Sequence, residues 1–263
     1  MVAENLEFDR LVGVDLANLM VEREKRPHPL IVGVGPQSVG KSTLLDKVLA
    51  KRFSGEYIPE DYQGLEGKLG RLNDFKKRVL SGQADVLDKE EARSLALEIE
   101  LEFLDRKLAQ AQLVKSGLED HPVFWDASIW TDLIYARTYL LLGIITQEDY
   151  DIYWRRFREV LPQLPDPDLM IGLKVSPPVL VNRWQDRLRQ NTERRFEETI
   201  PEIFFLKMAE VSNQLIDELG EAGFPVLVVN TDEINFQPGK AGEEVVVNLC
   251  HARFRATLDS GNQ

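Results

Sequence analysis

The stretch LIVGVGPQSVGKSTLL, residues 30–45, decides how the rest of the chain is read. It opens with a short apolar run, 30–34, which reads as a buried strand. Gly35, Gly40, Lys41 and Ser42 then fit the pattern G-x-x-x-x-G-K-[ST]. The loop has to bend tightly enough for several backbone N–H groups to point at one phosphate, and glycine permits such bends. A helix expected from about 41 to 51 adds its positive N-terminal end. Lys41 would bring a point charge to the β- and γ-phosphates, and the Ser42 hydroxyl would ligate Mg²⁺. Gln37, Ser38, Val39 and Thr43 complete the stretch expected to wrap a nucleotide's phosphates. The motif is common to kinases, GTPases and ATPases, and NTDE at 230–233 is not a guanine-reading signature.

Outward from this stretch, segments of strand and helix character alternate. Residues 4–25 read as an amphipathic helix that stops before Pro27 and Pro29, making 1–29 an N-terminal helical extension. Residues 55–90 read as a lid-like or helical insertion. Over 90–113, Leu97, Leu101, Leu104 and Leu108 recur at helical spacing, and Asp88 with Glu91 suits a helix start. Residues 123–125 form a second short strand, 131–142 an apolar helix, and TQED from Thr146 has the pattern of a capping box. DLMIGLKV, 168–175, is a third strand, followed by a helix capped by Ser176 with Pro177 in its first turn. A helix over 201–219 and a strand over 225–230 follow. VVVNLCHARF, near the end, suits a helix or a strand. The alternation predicts an α/β fold whose parallel sheet is covered on both faces and joined by right-handed crossovers. No linker is visible, so 1–263 reads as one domain.

Composition narrows the partners. The 263 residues are 43% hydrophobic and 29% charged, as in an ordinary globular chain. A net charge of −12 disfavours nucleic acid and anionic membranes as partners. No segment has 18 uninterrupted apolar residues, and MVAENLEFDR is not a signal peptide. The one cysteine, Cys250, cannot form an internal disulfide, which fits a cytoplasmic protein. His28, His121 and His251 are scattered without metal-ligand spacing. Trp125 and Trp130 are expected in the core.

Several further motifs follow in order. They are FLDRKLAQAQ at 103–112, DASIWTDLIYA at 126–136, GIITQEDYDIY at 143–153, LPDPDLMIGLKVSP at 164–177 and PVLVVNTDEINF at 225–236. With the glycine-rich loop, this series resembles the deoxynucleoside kinase family, especially bacterial deoxyadenosine and deoxyguanosine kinases. The resemblance implies a P-loop NTPase-type parallel sheet of about five strands, flanked by helices, with an arginine-rich lid over 183–197. It implies ATP with Mg²⁺ as donor and a small-molecule acceptor whose hydroxyl takes the γ-phosphoryl. Asp126 matches the acid of the family's (E/D)RS element, near Mg²⁺. Arg183, Arg187 and Arg189 match its R-x₃-R-x-R lid, which closes over ATP and stabilises charge on the transferring group. Arg194 and Arg195 extend that cluster. The N-terminal helix and the helices at 90–113 and 131–142 could pair two subunits into a homodimer, as in the family.

The acceptor half departs from the family pattern. Ala127 stands where the (E/D)RS element has arginine. In EYIPED, aligning Pro59 puts Ile58 where the family has its proton-accepting glutamate. Glu60 is then the candidate base, with Glu56 and Asp61 as alternatives. Glu100 falls where the family reads the base with glutamine, and Trp154 where an acidic partner is often found. An ionised glutamate cannot offer both a donor and an acceptor to a base edge as glutamine does. Three readings stay open at this point: a deoxynucleoside kinase, a kinase of the same fold with a nucleotide or another metabolite as acceptor, or an ATP-binding protein without transfer activity.

Overall fold

A computed structural model describes residues 16–20, 26–126, 128–190 and 197–260. Most of the N-terminal helix expected over 4–25 lies outside them. Its described part, Leu16–Leu19, is a short 3₁₀ turn with Leu16 buried.

The sheet has five parallel strands: β1 Leu30–Val34, β2 Glu56–Ile58, β3 Val123–Trp125, β4 Leu169–Lys174 and β5 Val226–Asn230. They lie in the order β2-β3-β1-β4-β5. The central strands are apolar without alternation because both of their faces are covered, and every residue of β1 and β3 is buried. β2 falls inside the stretch expected to be an insertion. Its three residues are too few to show periodicity, and only their pairing with Val123, Phe124 and Trp125 of β3 marks them as a strand. The same stretch also holds α2.

The helices are α1 Thr43–Ala50, α2 Glu66–Leu80, α3 Val86–Asp120, α4 Ile129–Leu141, α5 Gln147–Val160, α6 Pro177–Gln190, α7 Glu202–Glu221 and α8 Ala241–Ser260. α1 has the wider π repeat. The capping box at Thr146 forms: its hydroxyl accepts from the Asp149 N–H while Asp149 accepts from the Thr146 N–H. VVVNLCHARF belongs to α8, a helix.

α1 and α7 cover opposite faces of the sheet. A Cβ on Gly33 of β1 would lie 3.0 Å from Leu45 of α1, and one on Gly172 of β4 would lie 2.7 Å from Ile216 of α7. Gly172 pairs with Val34, the neighbour of Gly33, so the two glycines point to opposite sides. α8 joins α1, while α3 and α4 join α7 on the other face.

α3 starts and ends further out than the expected 90–113; Asp85 caps its start by accepting from the Asp88 N–H. Its buried stripe is also turned from the leucine series. Leu95, Ile99, Leu104 and Val114 are buried, while Leu97, Leu101 and Leu108 are only partly so. Glu100 and Lys107 share that buried stripe. α4 is buried nearly all round against α3, α5 and α7. That leaves it no face for pairing two subunits, contrary to the expectation for 131–142.

Candidate active site

β1 runs into the glycine-rich loop at the carboxyl end of the sheet. β3 and β4 flank it on either side, so ligands are expected where the strand order diverges. Gly40 has φ +110°, and a Cβ there would meet the Phe236 ring at 3.0 Å, so glycine is required twice over. Ser38 takes φ +65°, uncommon for a non-glycine and typical of a loop shaped by its ligand. The Lys41 ammonium lies across the loop, donating to the carbonyls of Gly35 at 2.8 Å and Pro36 at 3.0 Å.

Ser42 Oγ donates to Asp126 Oδ2 at 2.5 Å, and the Tyr57 hydroxyl donates to the same oxygen at 2.9 Å. Burial, with the nearby Asp126 charge, pushes the Tyr57 phenol up, so it stays a donor. Asp126 is buried, and its Oδ1 has no partner among the described residues. A carboxylate oxygen left bare beside a serine hydroxyl fits Mg²⁺, which binds few protein oxygens and relies on phosphate and water for the rest. No cluster of three or more His, Cys, Asp or Glu that could hold a metal ion occurs among the described residues.

Two cavities open on opposite sides of the loop. The first is a solvent-open groove of about 1100 Å³. Its walls include Ser38, Gly40, Thr43, Arg183, Arg187 and Phe236. Arg183 is tied down by the Thr231 hydroxyl and carbonyl, both at 2.7 Å, and by Val39 O at 3.3 Å. Arg187 donates to Ser38 Oγ at 3.1 Å and to Glu197 Oε1 at 3.0 Å. Arg189 points elsewhere: it is exposed and pairs with Asp186 at 2.5 Å. Arg194 and Arg195 lie outside the described residues, as does Ala127.

The second cavity holds about 650 Å³, counting its mouth. Gln37, Glu60, Asn73, Lys76, Glu100 and Asp132 are among its lining residues. Gln37 is oriented by the Tyr135 hydroxyl, which donates to its Oε1 at 2.9 Å. Of the three candidate bases, only Glu60 faces this space. Asp61 pairs with Arg106 at 3.1 Å, and Glu56 sits at the far end of β2 beside His121 at 3.8 Å. Ile58 is buried in the core, so no carboxylate can occupy its place. Trp154 does not reach the cavity; its ring stacks on Phe157, 5.1 Å between centroids.

The cavity wall is rich in buried charge. Lys107 pairs with Asp132 at 3.5 Å. Burial nevertheless lifts Asp132 to about 7, against the pull of Lys107. Lys76 donates to Asn73 Oδ1 at 3.1 Å and lies over the rings of Phe204 and Tyr139, 4.4 and 4.7 Å from their centroids. Burial lowers its ammonium to about 7, although Glu100 and Glu197 favour the charged form. Buried, perturbed groups of this kind cluster where ligands bind.

The sequence reading missed Asn73, Lys76, Lys107, Asp132 and Glu197. One signal was available. Asn73, Lys76, Lys107 and Asp132 are polar residues at positions that helical periodicity assigns to the core, as with Asp132 in the apolar run IWTDLIYA, whereas Glu197 lies between α6 and α7 and carried no such signal.

Residues 31–254 match the family model for deoxynucleoside kinase. Among curated proteins, a deoxyguanosine kinase of Lactobacillus johnsonii is 21% identical over 231 residues, covering 86% of this chain and 92% of the relative. Among solved structures, deoxyadenosine kinase from M. mycoides with bound dATP superposes with a TM-score of 0.64 at 20% identity, over 85% of this chain and 100% of that one. The structure of that enzyme with bound dCTP gives 0.61 at 20% identity, over 85% and 99%.

Proposed function

The chain belongs to the deoxynucleoside kinase family, and on that premise we propose that it moves the γ-phosphoryl group of ATP to a hydroxyl of a deoxynucleoside. The observation that carries this reading is the shared wall. Gln37 lines one cavity and its neighbours Ser38, Val39 and Gly40 line the other, so a phosphate cradled by the loop has the donor on one side and the acceptor on the other. Holding two reactants in line in this way is most of what phosphoryl transfer requires.

The roles follow from position. Loop N–H groups and Lys41 hold the β- and γ-phosphates, with Gly35 and Gly40 allowing the bends. Ser42 and Asp126 would hold Mg²⁺, which would neutralise phosphate charge. Arg183 and Thr43 line the donor side. Glu60 takes the proton from the attacking hydroxyl as that oxygen bonds to the γ-phosphorus and the bond to the ADP oxygen breaks. Arg187 reaches the loop at Ser38 and stabilises the charge that develops on the phosphoryl oxygens. Glu100 contributes to the acceptor wall; Trp154 and Arg189 carry no role in this reading.

The reading includes a cytoplasmic location, where ATP is supplied. No described helix is long and apolar enough to cross a membrane. It also includes a homodimer, built on α3 and α5 rather than α4. Leu97, Leu101 and Ile152 line an open groove between those two helices, and sedimentation analysis of the purified chain tests the pairing.

The test of the activity is transfer from γ-labelled ATP with Mg²⁺ across deoxynucleosides, ribonucleosides and their monophosphates, with Lys41→Ala as the blank. Label on a deoxynucleoside that disappears in the variant is the expected result. ATP binding with no labelled product from any acceptor would overturn it.

A further inference from the structure

Gln37 is the residue of the phosphate loop that lines the acceptor cavity, whereas Ser38, Val39 and Gly40 line the donor groove. Ser38, at φ +65°, turns the backbone left-handed where the two sides divide. The Gln37 amide is held at one end: Tyr135 on α4, in the same cavity wall, donates to its Oε1 at 2.9 Å. The other end, Nε2, is shielded from water and has no partner among the described residues. Its N–H donors are therefore unused at the junction of the two cavities. Buried donors left unpaired are destabilising, and a ligand oxygen that accepts from them removes that cost.

The junction is where an acceptor's hydroxyl must stand to reach a phosphate held by the loop. In-line attack requires that this oxygen direct a lone pair at phosphorus, give up its proton and keep one orientation while doing both. Glu60, in the same cavity, can take the proton. An ionised carboxylate has no proton to give, so it cannot hold the oxygen's second lone pair. Lys76 is engaged by Asn73 and by the rings of Phe204 and Tyr139, and the Tyr135 hydroxyl is engaged by Gln37. Gln37 Nε2 is a donor with no such engagement.

We propose that Gln37 is a further catalytic residue whose Nε2 donates to the attacking hydroxyl oxygen of the acceptor, with Tyr135 as the positioning residue that fixes the amide through Oε1. The oxygen passes its proton to Glu60 and bonds to the γ-phosphorus as the bond from phosphorus to the ADP oxygen breaks. The contact with Gln37 strengthens as the oxygen sheds its proton and gains negative character, so it stabilises the transition state more than the bound acceptor. This role rests on the transferase reading above.

The test uses the full chain and Gln37→Met, which keeps the length of the side chain and removes the amide. The acceptors are deoxyadenosine, deoxyguanosine, deoxycytidine and thymidine, each paired with the 5′-deoxy analogue that lacks the less hindered hydroxyl. With γ-labelled ATP, the variant is expected to lose about 10- to 100-fold in kcat/KM for whichever acceptors the wild type labels. KM for ATP holds, because the loop N–H groups and Lys41 are untouched. Tyr135→Phe gives a smaller loss, and the double variant is no worse than Gln37→Met alone, as for two side chains acting as one unit. Additive losses would remove Tyr135 from the role. Calorimetric titration without ATP reads the contact apart from turnover. The wild type binds each accepted deoxynucleoside more tightly than its 5′-deoxy analogue, and Gln37→Met narrows that gap by about fivefold, the value of one neutral hydrogen bond. A gap of unchanged size, or kcat/KM equal to that of the wild type, overturns the proposal while transfer by the wild type leaves the kinase reading standing. No transfer by the wild type to any of the four overturns both.

Discussion

Ser42 and Asp126 stand 84 positions apart in the chain, yet their side chains meet at 2.5 Å across the carboxyl end of the sheet. β1 delivers Ser42 through its loop and β3 ends at Asp126, and the two strands are neighbours in register. The free oxygen of Asp126 then lies beside the phosphate loop. Asp126→Asn keeps the shape and the acceptor for Ser42 but removes the charge. It is expected to lower phosphoryl transfer by at least about 100-fold and to raise the Mg²⁺ concentration needed for half activity. An unchanged Mg²⁺ dependence would remove Asp126 from the cation site.

Arg187 and Arg189 are two residues apart, yet they face different surroundings. Arg187 bridges Ser38 and Glu197, whereas Arg189 pairs with Asp186 at the surface. Arg187→Gln should lower kcat by about 100-fold, as loss of a transition-state cation does. Arg189→Gln should cost no more than an exposed ion pair, about 1 kcal/mol or less. Equal losses in the two variants would mean that Arg189 also reaches the phosphates during the reaction.

Asp132 should make stability depend on pH in a defined direction. Its carboxyl titrates near 7 in the folded chain against 3.8 unfolded. Between those values the folded state holds more protons, so stability falls as pH rises through that window. Asp132→Asn does not titrate. Its unfolding free energy relative to the wild type should therefore improve, on the order of 2 kcal/mol, from pH 4 to pH 8. Urea melts at the two pH values measure this, and a constant difference between the chains would show that Asp132 is not raised.

Gly55 is fixed by a close approach rather than by its φ. A Cβ there would sit 2.5 Å from Pro122 O and 2.6 Å from the Phe124 ring, both rigidly held where β2 meets β3. Gly55→Ala should cost about 1–3 kcal/mol as an overpacked site. It should also lower turnover, since β2 leads into Glu60. Calorimetry paired with the transfer assay tests this, and a melting temperature equal to that of the wild type would show that the strand pair yields freely.

The donor side of the site could be read from the chain because it is local. Lys41, Ser42 and the glycines follow one another, and their spacing alone fixes a loop with converging N–H groups. The acceptor side could not, because its groups come from separate elements: Lys76 on α2, Glu100 and Lys107 on α3, Asp132 on α4 and Glu197 ahead of α7. Glu100, Lys107, Lys76, Asp132 and Glu197 are separate charged residues in the sequence, and a charged residue on a helix is by default a solvated one. Only the packing of α2, α3 and α4 against their neighbours turns the helical ones inward. Glu60 was chosen over Glu56 and Asp61 by the direction in which the chain leaves β2, which EYIPED does not reveal.

The sequence by itself determined the phosphate loop, the parallel α/β sheet and the family, since local spacing, continuous apolar strands and motif order survive without coordinates. Tertiary structure alone decided which arginine reaches the loop, which carboxylate lines the cavity beside Gln37 and that Glu100 is buried beside a second acid. The reason is physical. Phosphate binding is set by backbone geometry over a few residues, whereas the charge state and reach of a side chain depend on what is packed around it from elsewhere in the chain.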